Sequence, residues 1–132
     1  MSIKLDQVTY TYGVGSPFER TALHETSVEI HEGEFVGIIG HTGSGKATFV
    51  QLLNGLIHPT RGVVTVDGTD ISKKTKEVMA IRHKVGMVFQ YPEYQLFEET
   101  IAKDIAFGPR NFGLSEDEIE ERVREAMEFV GL

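Results

Sequence analysis

The sequence predicts an α/β fold, and three observations carry that prediction. Phe35 to Ile39 form a short, nearly continuous apolar run; GHTGSGKAT follows at once from Gly40 to Thr48; and Phe49, Leu52, Leu53 and Leu56 then recur at helical spacing. Strand, glycine loop and helix in that order are the setting in which a phosphate-binding loop works, because the backbone turns sharply and offers a helix N-terminus to an anion. Alternating strand patterns precede this unit and amphipathic helices follow it.

Val8, Tyr10 and Tyr12 alternate with Thr9 and Thr11, as in a half-buried strand, and Val28 and Ile30 continue that style. His31 to Glu34 reads as a turn. The apolar run Phe35 to Ile39 predicts a strand buried on both faces. After the loop and its helix, Pro59 to Gly62 breaks the chain, and GVVTVDGTDI predicts a hairpin turning at Asp67-Gly68. A polar stretch from Ser72 to Lys76 leads into a short amphipathic piece with Val78, Met79 and Ile81. VGMVFQ predicts the next strand, ending at Gln90 before a Tyr91-Pro92 turn. Phe97 to Phe107 predicts a helix stopped by Gly108-Pro109. Ser115 with Glu118 forms a capping box, ahead of an apolar stripe of Ile119, Val123, Ala126, Met127 and Val130.

A chain of 132 residues supports one domain with its own core. Thirteen Lys and Arg against twenty Asp and Glu give a net charge of -7, with no basic cluster of the kind that neutralises a nucleic-acid backbone. Nucleic acid is therefore not expected as a partner. No apolar run reaches the eighteen or so residues that span a bilayer, and the N-terminus has no secretory pattern. The expected location is the cytoplasm, free or peripheral on the inner face of the cell membrane. The absence of Cys removes disulfides and thiolate metal sites.

Within the loop, Gly40, Gly45 and Lys46 occupy the fixed places of the phosphate-loop pattern, and Gly43 adds a further point of close backbone approach. Successive N–H groups from Thr42 to Lys46 can point around phosphate oxygens while Lys46 supplies a point charge. The next place, where a Ser or Thr hydroxyl joins a magnesium shell, holds Ala47. A methyl group cannot ligate a metal, and Thr48 lies roughly 100° further round the helix. Water can fill the vacant coordination place, since magnesium commonly keeps several waters. The expectation is weakened Mg2+ affinity with phosphate cradling retained. Ala47 is also open to reading as a position of no physiological meaning. The one apolar run that ends in an acid is Val63 to Asp67, either a magnesium-bearing strand or the hairpin named above; Gly68 favours the hairpin.

Four segments together, VTYTY, EFVGIIGHTGSGKAT, NGLIHPTRGVVTVDG and VGMVFQYPEYQLFEETIAKDIAFGPRNFG, resemble the nucleotide-binding subunits of ABC transporters, above all the ATPases of energy-coupling-factor (ECF) transporters. The resemblance covers the whole chain and matches the N-terminal half of such a subunit. It implies an ABC-type P-loop NTPase half-domain: an N-terminal antiparallel β part, a phosphate-loop strand-helix unit, and the first helices of a helical subdomain, with the parallel core sheet incomplete. Residues 1–90 would form the β-rich part with Walker A and the Q-loop strand, and 91–132 the Q-loop and the start of the helical subdomain, within one domain.

By the same resemblance Tyr12 matches the aromatic residue that stacks on adenine, although in a strand it also reads as an ordinary aromatic. Gly40, His41, Thr42, Gly43, Ser44, Gly45, Lys46, Ala47 and Thr48 match Walker A, with Thr48 near the α-phosphate. Gln90 matches the Q-loop glutamine that senses metal and γ-phosphate, and is the single remaining weak metal ligand. Tyr91 to Thr100 resembles the surface that meets the membrane component, although Tyr91, Tyr94 and Phe97 also suit a core. The implied ligands are ATP and Mg2+. The implied partners are a transmembrane coupling component, a substrate-binding membrane subunit, and a second ABC ATPase in a homo- or heterodimer. The signature motif, Walker B strand, catalytic Glu and switch His of the family have no counterpart among these residues, so the chain is expected to bind nucleotide without hydrolysing it alone, and to be marginally stable by itself. Two other readings stand beside this one: a non-catalytic nucleotide-binding or regulatory module, and a small P-loop kinase using Asp67.

Overall fold

The computed structural model describes residues 1–132, in the order β1 (Ile3–Tyr12), β2 (Arg20–Ile30), α1 (Lys46–Leu53), β3 (Arg61–Val66), β4 (Thr69–Asp70), α2 (Lys76–Arg82), α3 (Ile101–Asn111) and α4 (Glu116–Val130). The chain divides into two compact units, Met1–Met87 and Val88–Leu132.

In the first unit the four strands form one antiparallel sheet in the order β2-β1-β3-β4. Ile3, Leu5, Val8, Val64 and Val66 supply its buried face, and Leu52 of α1, Ile71, and Val78 and Ile81 of α2 complete the core. The parity of β1 changes partway: Ile3 and Leu5 are odd-numbered, whereas Val8 is even. A bulge between Leu5 and Val8 makes the change, with Gln7 at φ 49 and its N–H donating to Ser27 Oγ at 2.9 Å. The extra residue turns Val8 back to the core and sets Tyr10 and Tyr12 on the same side. The bulge needs Gly62 opposite, since a Cβ there would collide with the Gln7 carbonyl.

The hairpin at Asp67-Gly68 forms as the sequence predicts, with Val66 opposite Thr69 and positive φ at both turn residues (47 and 75). That pairing of signs is the type I′ turn, whose twist suits two adjacent strands. Asp67 also ties down the N-terminus. Its Oδ1 accepts from Ser2 N–H at 2.9 Å, its own N–H donates to the Ser2 carbonyl at 2.9 Å, and Lys84 Nζ lies 3.6 Å from Oδ2. The Ser2 N–H, helped by the terminal ammonium and Lys84, holds the Asp67 carboxyl below the usual range. A carboxylate so employed is a structural anchor, and the kinase reading loses its metal-binding acid.

Two predicted strands do not form. Phe35 to Ile39 is irregular rather than a doubly buried strand, with Phe35 and Ile39 almost fully exposed (102% and 98%), and residues 85–90 are likewise irregular with Val88 exposed. The cause is the absence of neighbours: a strand exists through the N–H and C=O groups of a flanking chain, and none of β1 to β4 pairs with either segment. The sheet present is therefore wholly antiparallel, and the parallel part expected around the loop is missing.

The second unit is a helical pair, α3 and α4. Thr100 caps α3, its Oγ1 accepting from Lys103 N–H at 3.3 Å, and the helix runs through Gly108 and Pro109 to Asn111 instead of stopping before them. Pro109 has a φ suited to the helix but cannot donate to the Ile105 carbonyl, and the helix ends two residues later. The chain leaves the helix at Gly113, φ 77. The Ser115–Glu118 capping box is present in α4, with Glu118 Oε2 accepting from Ser115 N–H at 2.9 Å and from Ser115 Oγ at 2.7 Å. Of the predicted stripe only Ile119 is buried; Val123, Ala126 and Met127 are half-buried and Val130 is exposed. Tyr91, Tyr94 and Phe97 are exposed too, so they do not form a core.

Candidate functional site

The segment from Gly40 to Thr48 is an exposed loop that becomes the first turn of α1. Ser44 N–H donates to the His41 carbonyl at 3.2 Å, closing a turn, and His41 Nδ1 lies 2.8 Å from the Thr42 carbonyl oxygen. Gly43 and Gly45 then take φ of 83 and 92, which lets the chain enter the helix at a steep angle. Gly45 is the helix N-cap, and a Cβ on it would strike the Ala22 carbonyl of β2, so glycine is what allows α1 to begin against the sheet. A Cβ on Gly40 would come within 2.6 Å of Ser44 Oγ.

The consequence is a set of available donors. The N–H groups of Gly43, Gly45, Lys46, Ala47 and Thr48 have no acceptor within the chain, the first intrahelical bond being Phe49 N–H to the Gly45 carbonyl at 2.8 Å. Ser44 is not part of this set, because its N–H is committed to His41. Orphan donors at a helix start, added to the positive end of the peptide dipoles, favour an anion by about 0.3–1 kcal/mol per charge even at an exposed site.

Lys46 Nζ donates to the Gly40 carbonyl at 2.6 Å and the His41 carbonyl at 2.9 Å, with Ser44 Oγ at 3.5 Å. The ammonium thus lies within the ring of the loop. Beside it is a concavity of about 200 Å³ lined by Leu23, Ile38, Ile39, Gly40, Ser44, Gly45, Lys46 and Phe49. One wall is apolar and the other carries the free amides and the cation. That combination suits a phosphate chain with a less polar group attached.

Tyr12 reaches the first turn of α1 from β1. Its hydroxyl lies 3.0 Å from Thr48 Oγ1, and its ring meets that of Tyr10 edge-on at 4.7 Å and 77°. Burial, with Tyr12 close by, raises the pKa of the Tyr10 phenol. Tyr12 itself is 44% exposed, leaving ring surface open to a flat partner, whereas Thr48 is buried at 5%. The hydroxyl contact thus brings Tyr12 beside the first turn of α1. Gln90 belongs to the second unit, where its Nε2 lies 3.4 Å from Tyr91 Oη.

The donor set does not fit a protein-held magnesium ion. Ala47 presents an exposed methyl group, the Thr48 hydroxyl is turned to Tyr12, and no three His, Asp or Glu side chains converge anywhere in the chain. Spacing alone marks Gly40, Gly43, Gly45 and Lys46, whereas His41 and Thr48 are marked by the family resemblance. The Tyr12–Thr48 contact has no such signal, because it joins residues far apart in the chain and depends on the bulge that orients Tyr12.

The ABC transporter family description matches residues 23–132. The chain is 58% identical over its whole length to the energy-coupling factor transporter ATP-binding proteins EcfA2 of Clostridium acetobutylicum and Clostridium perfringens, covering 46% of each. It is 56% identical to that of Streptococcus thermophilus, covering 48%. The chain thus spans just under half the length of these relatives. Among solved structures, a dimeric ATP-binding cassette, MJ0796, in a post-hydrolysis state with ADP and Pi is similar at TM-score 0.81 and 32% identity, with 98% of this chain and 57% of the other covered. The cbiO1 protein of Clostridium perfringens, part of the ABC transporter complex cbiONQ, is similar at TM-score 0.79 and 35% identity, covering 98% and 50%. The present chain belongs to the ABC transporter family.

Proposed function

We propose that this chain is the nucleotide-binding portion of an ECF-type transporter ATPase subunit, and that it binds ATP through Tyr12 and residues 40–48. The observation that carries the reading is a helix start whose free amides and one ammonium lie beside a concavity, with Tyr12 tied to the first turn of that helix through its 3.0 Å hydroxyl contact with Thr48. In the bound state the amides of Gly43 and Gly45 to Thr48 would hold phosphate oxygens and Lys46 would leave the loop carbonyls for the outer phosphates. Tyr12 would cover the adenine. Gln90 is assigned the metal and γ-phosphate sensing position. Mg2+ would accompany ATP weakly, held by phosphate and water rather than by a loop hydroxyl.

The proposed setting is the inner face of the cell membrane. There the subunit would pair with another ABC ATPase and dock on a transmembrane coupling component that works with a substrate-binding membrane subunit, in uptake of vitamins or metal ions. The signature motif, Walker B strand, catalytic Glu and switch His of the resembled family have no counterpart among these 132 residues, so the reading is that the chain binds nucleotide without hydrolysing it by itself.

Ala47 favours a second reading of the same binding site, a non-catalytic module that occupies a partner ATPase or transporter. A fluorescent ATP analogue titrated into the purified chain, with and without Mg2+, together with a phosphate-release assay, tests both. Saturable binding, competed by ATP and without phosphate release, supports the half-site. Release above background overturns the non-hydrolysing role, and absence of saturable binding overturns the site.

A further inference from the structure

Tyr12 stands at the end of β1, just before the exposed segment Gly13 to Glu19. A tyrosine so placed would ordinarily sample several ring orientations and would have to be ordered when a base settled on it. Two contacts prevent this. The Tyr10 ring meets it edge-on at 4.7 Å, and its hydroxyl is held 3.0 Å from Thr48 Oγ1. Thr48 is a firm support: it is buried in the first turn of α1, where a β-branched threonine is restricted to two χ1 rotamers. A helix threonine commonly returns its hydroxyl to a carbonyl one turn back. Here no such bond to the Ser44 carbonyl is made, and the Thr48 hydroxyl bonds Tyr12 instead.

We propose that Thr48 is a positioning residue for the base end of the nucleotide site: through the hydroxyl pair Thr48–Tyr12 it presets the tyrosine ring, so the chain recognises the aromatic base of a nucleotide and not only its phosphates. The inference rests on the ATP-binding reading above. It places the link between the base end and the phosphate end of the ligand in one side-chain bond, because Thr48 also offers its free N–H to the phosphate site. The side chain serves the base while the main chain serves the phosphate.

The test is a double-mutant cycle on ATP affinity in the full chain, using Tyr12→Phe, Thr48→Val and the pair together, with Thr48→Ser as the conservative control. Phenylalanine keeps the stacking face and loses only the hydroxyl; valine keeps the shape of threonine. Each single change is expected to weaken ATP binding about 3- to 10-fold, the range for one hydrogen bond and one ordered side chain. The double variant should lose no more than the weaker single variant, and Thr48→Ser should bind within about twofold of the parent. The ratio of ATP affinity to tripolyphosphate affinity should fall in Tyr12→Phe, which a purely structural role would not produce. Losses that multiply in the double variant, or an unchanged ratio in Tyr12→Phe, overturn the inference while leaving ATP binding intact. A parent chain that binds tripolyphosphate and ATP equally overturns it also, and one that binds neither removes the ATP-binding reading itself. Tyr12 is half in solvent, so Tyr12→Phe reports even where Thr48→Val lowers the folded population.

Discussion

The Lys46 ammonium lies 2.6 Å from the Gly40 carbonyl oxygen and 2.9 Å from that of His41, so the one cation of the loop is hydrogen-bonded to the loop itself. Both acceptors are neutral and exposed, and a phosphate oxygen is a stronger acceptor for an ammonium than either. The cation is stored where it is needed, at small cost to release.

Replacing it should therefore separate binding from folding. Lys46→Ala is expected to weaken ATP binding by about 10- to 100-fold, the range for a hydrogen bond to a charged group. Unfolding free energy should change by less than about 1 kcal/mol, because the lost contacts are exposed. Fluorescence titration and urea denaturation of the same preparation check the two halves.

Ala47 predicts a gain of function. Ala47→Ser restores a hydroxyl beside the phosphate site, and ATP affinity should then rise several-fold on adding Mg2+. The parent chain should respond by no more than about twofold. Calorimetric titrations in EDTA and in Mg2+, run on both proteins, make the comparison.

Gly45 and Gly43 share a left-handed backbone but not a neighbourhood. Gly45→Ala drives a methyl group into the Ala22 carbonyl and should cost at least about 2 kcal/mol, whereas Gly43→Ala meets open space and should cost about 1 kcal/mol for its φ alone. Chemical denaturation of the two variants tests the ordering, which holds even where the magnitudes shift.

The α4 capping box should appear in the acid limb of stability. Hydrogen bonds from the Ser115 hydroxyl and N–H depress the Glu118 pKa, so the folded carboxylate is favoured over the unfolded one. A depressed carboxyl stabilises above its unfolded value of about 4.3, and that contribution disappears as pH falls through the lower folded value. Glu118→Gln keeps the reach to the cap but cannot titrate, so its helicity, followed by circular dichroism, should decline less between pH 5 and pH 3 than that of the parent. Ser115→Ala should lose about 1 kcal/mol at neutral pH.

Much of this molecule is written in local pattern. The loop from Gly40 to Thr48, the turn at Asp67-Gly68 and the Ser115–Glu118 cap each depend on residues within a few positions of one another, so spacing alone reveals them. Phe35 to Ile39 shows the limit: apolarity reports a wish to be buried, whereas a strand requires a partner backbone that these residues lack. Gly108-Pro109 has the pattern of a helix stop, yet α3 continues two residues past Pro109 to Asn111. The bulge at Gln7 and the Tyr12–Thr48 contact have no local signal, because both are set by chains crossing in space. Tyr12 is marked in the sequence only by family resemblance, and its contact with Thr48 is what the structure adds.

The central claim is that backbone amides and Lys46 hold a nucleotide whose metal receives no ligand from this loop. Calorimetric titration of the parent chain with ATP in excess EDTA tests it most directly. Saturable one-to-one binding is expected, with an affinity that Mg2+ changes by no more than about twofold. Binding that vanishes in EDTA and returns with Mg2+ would contradict it.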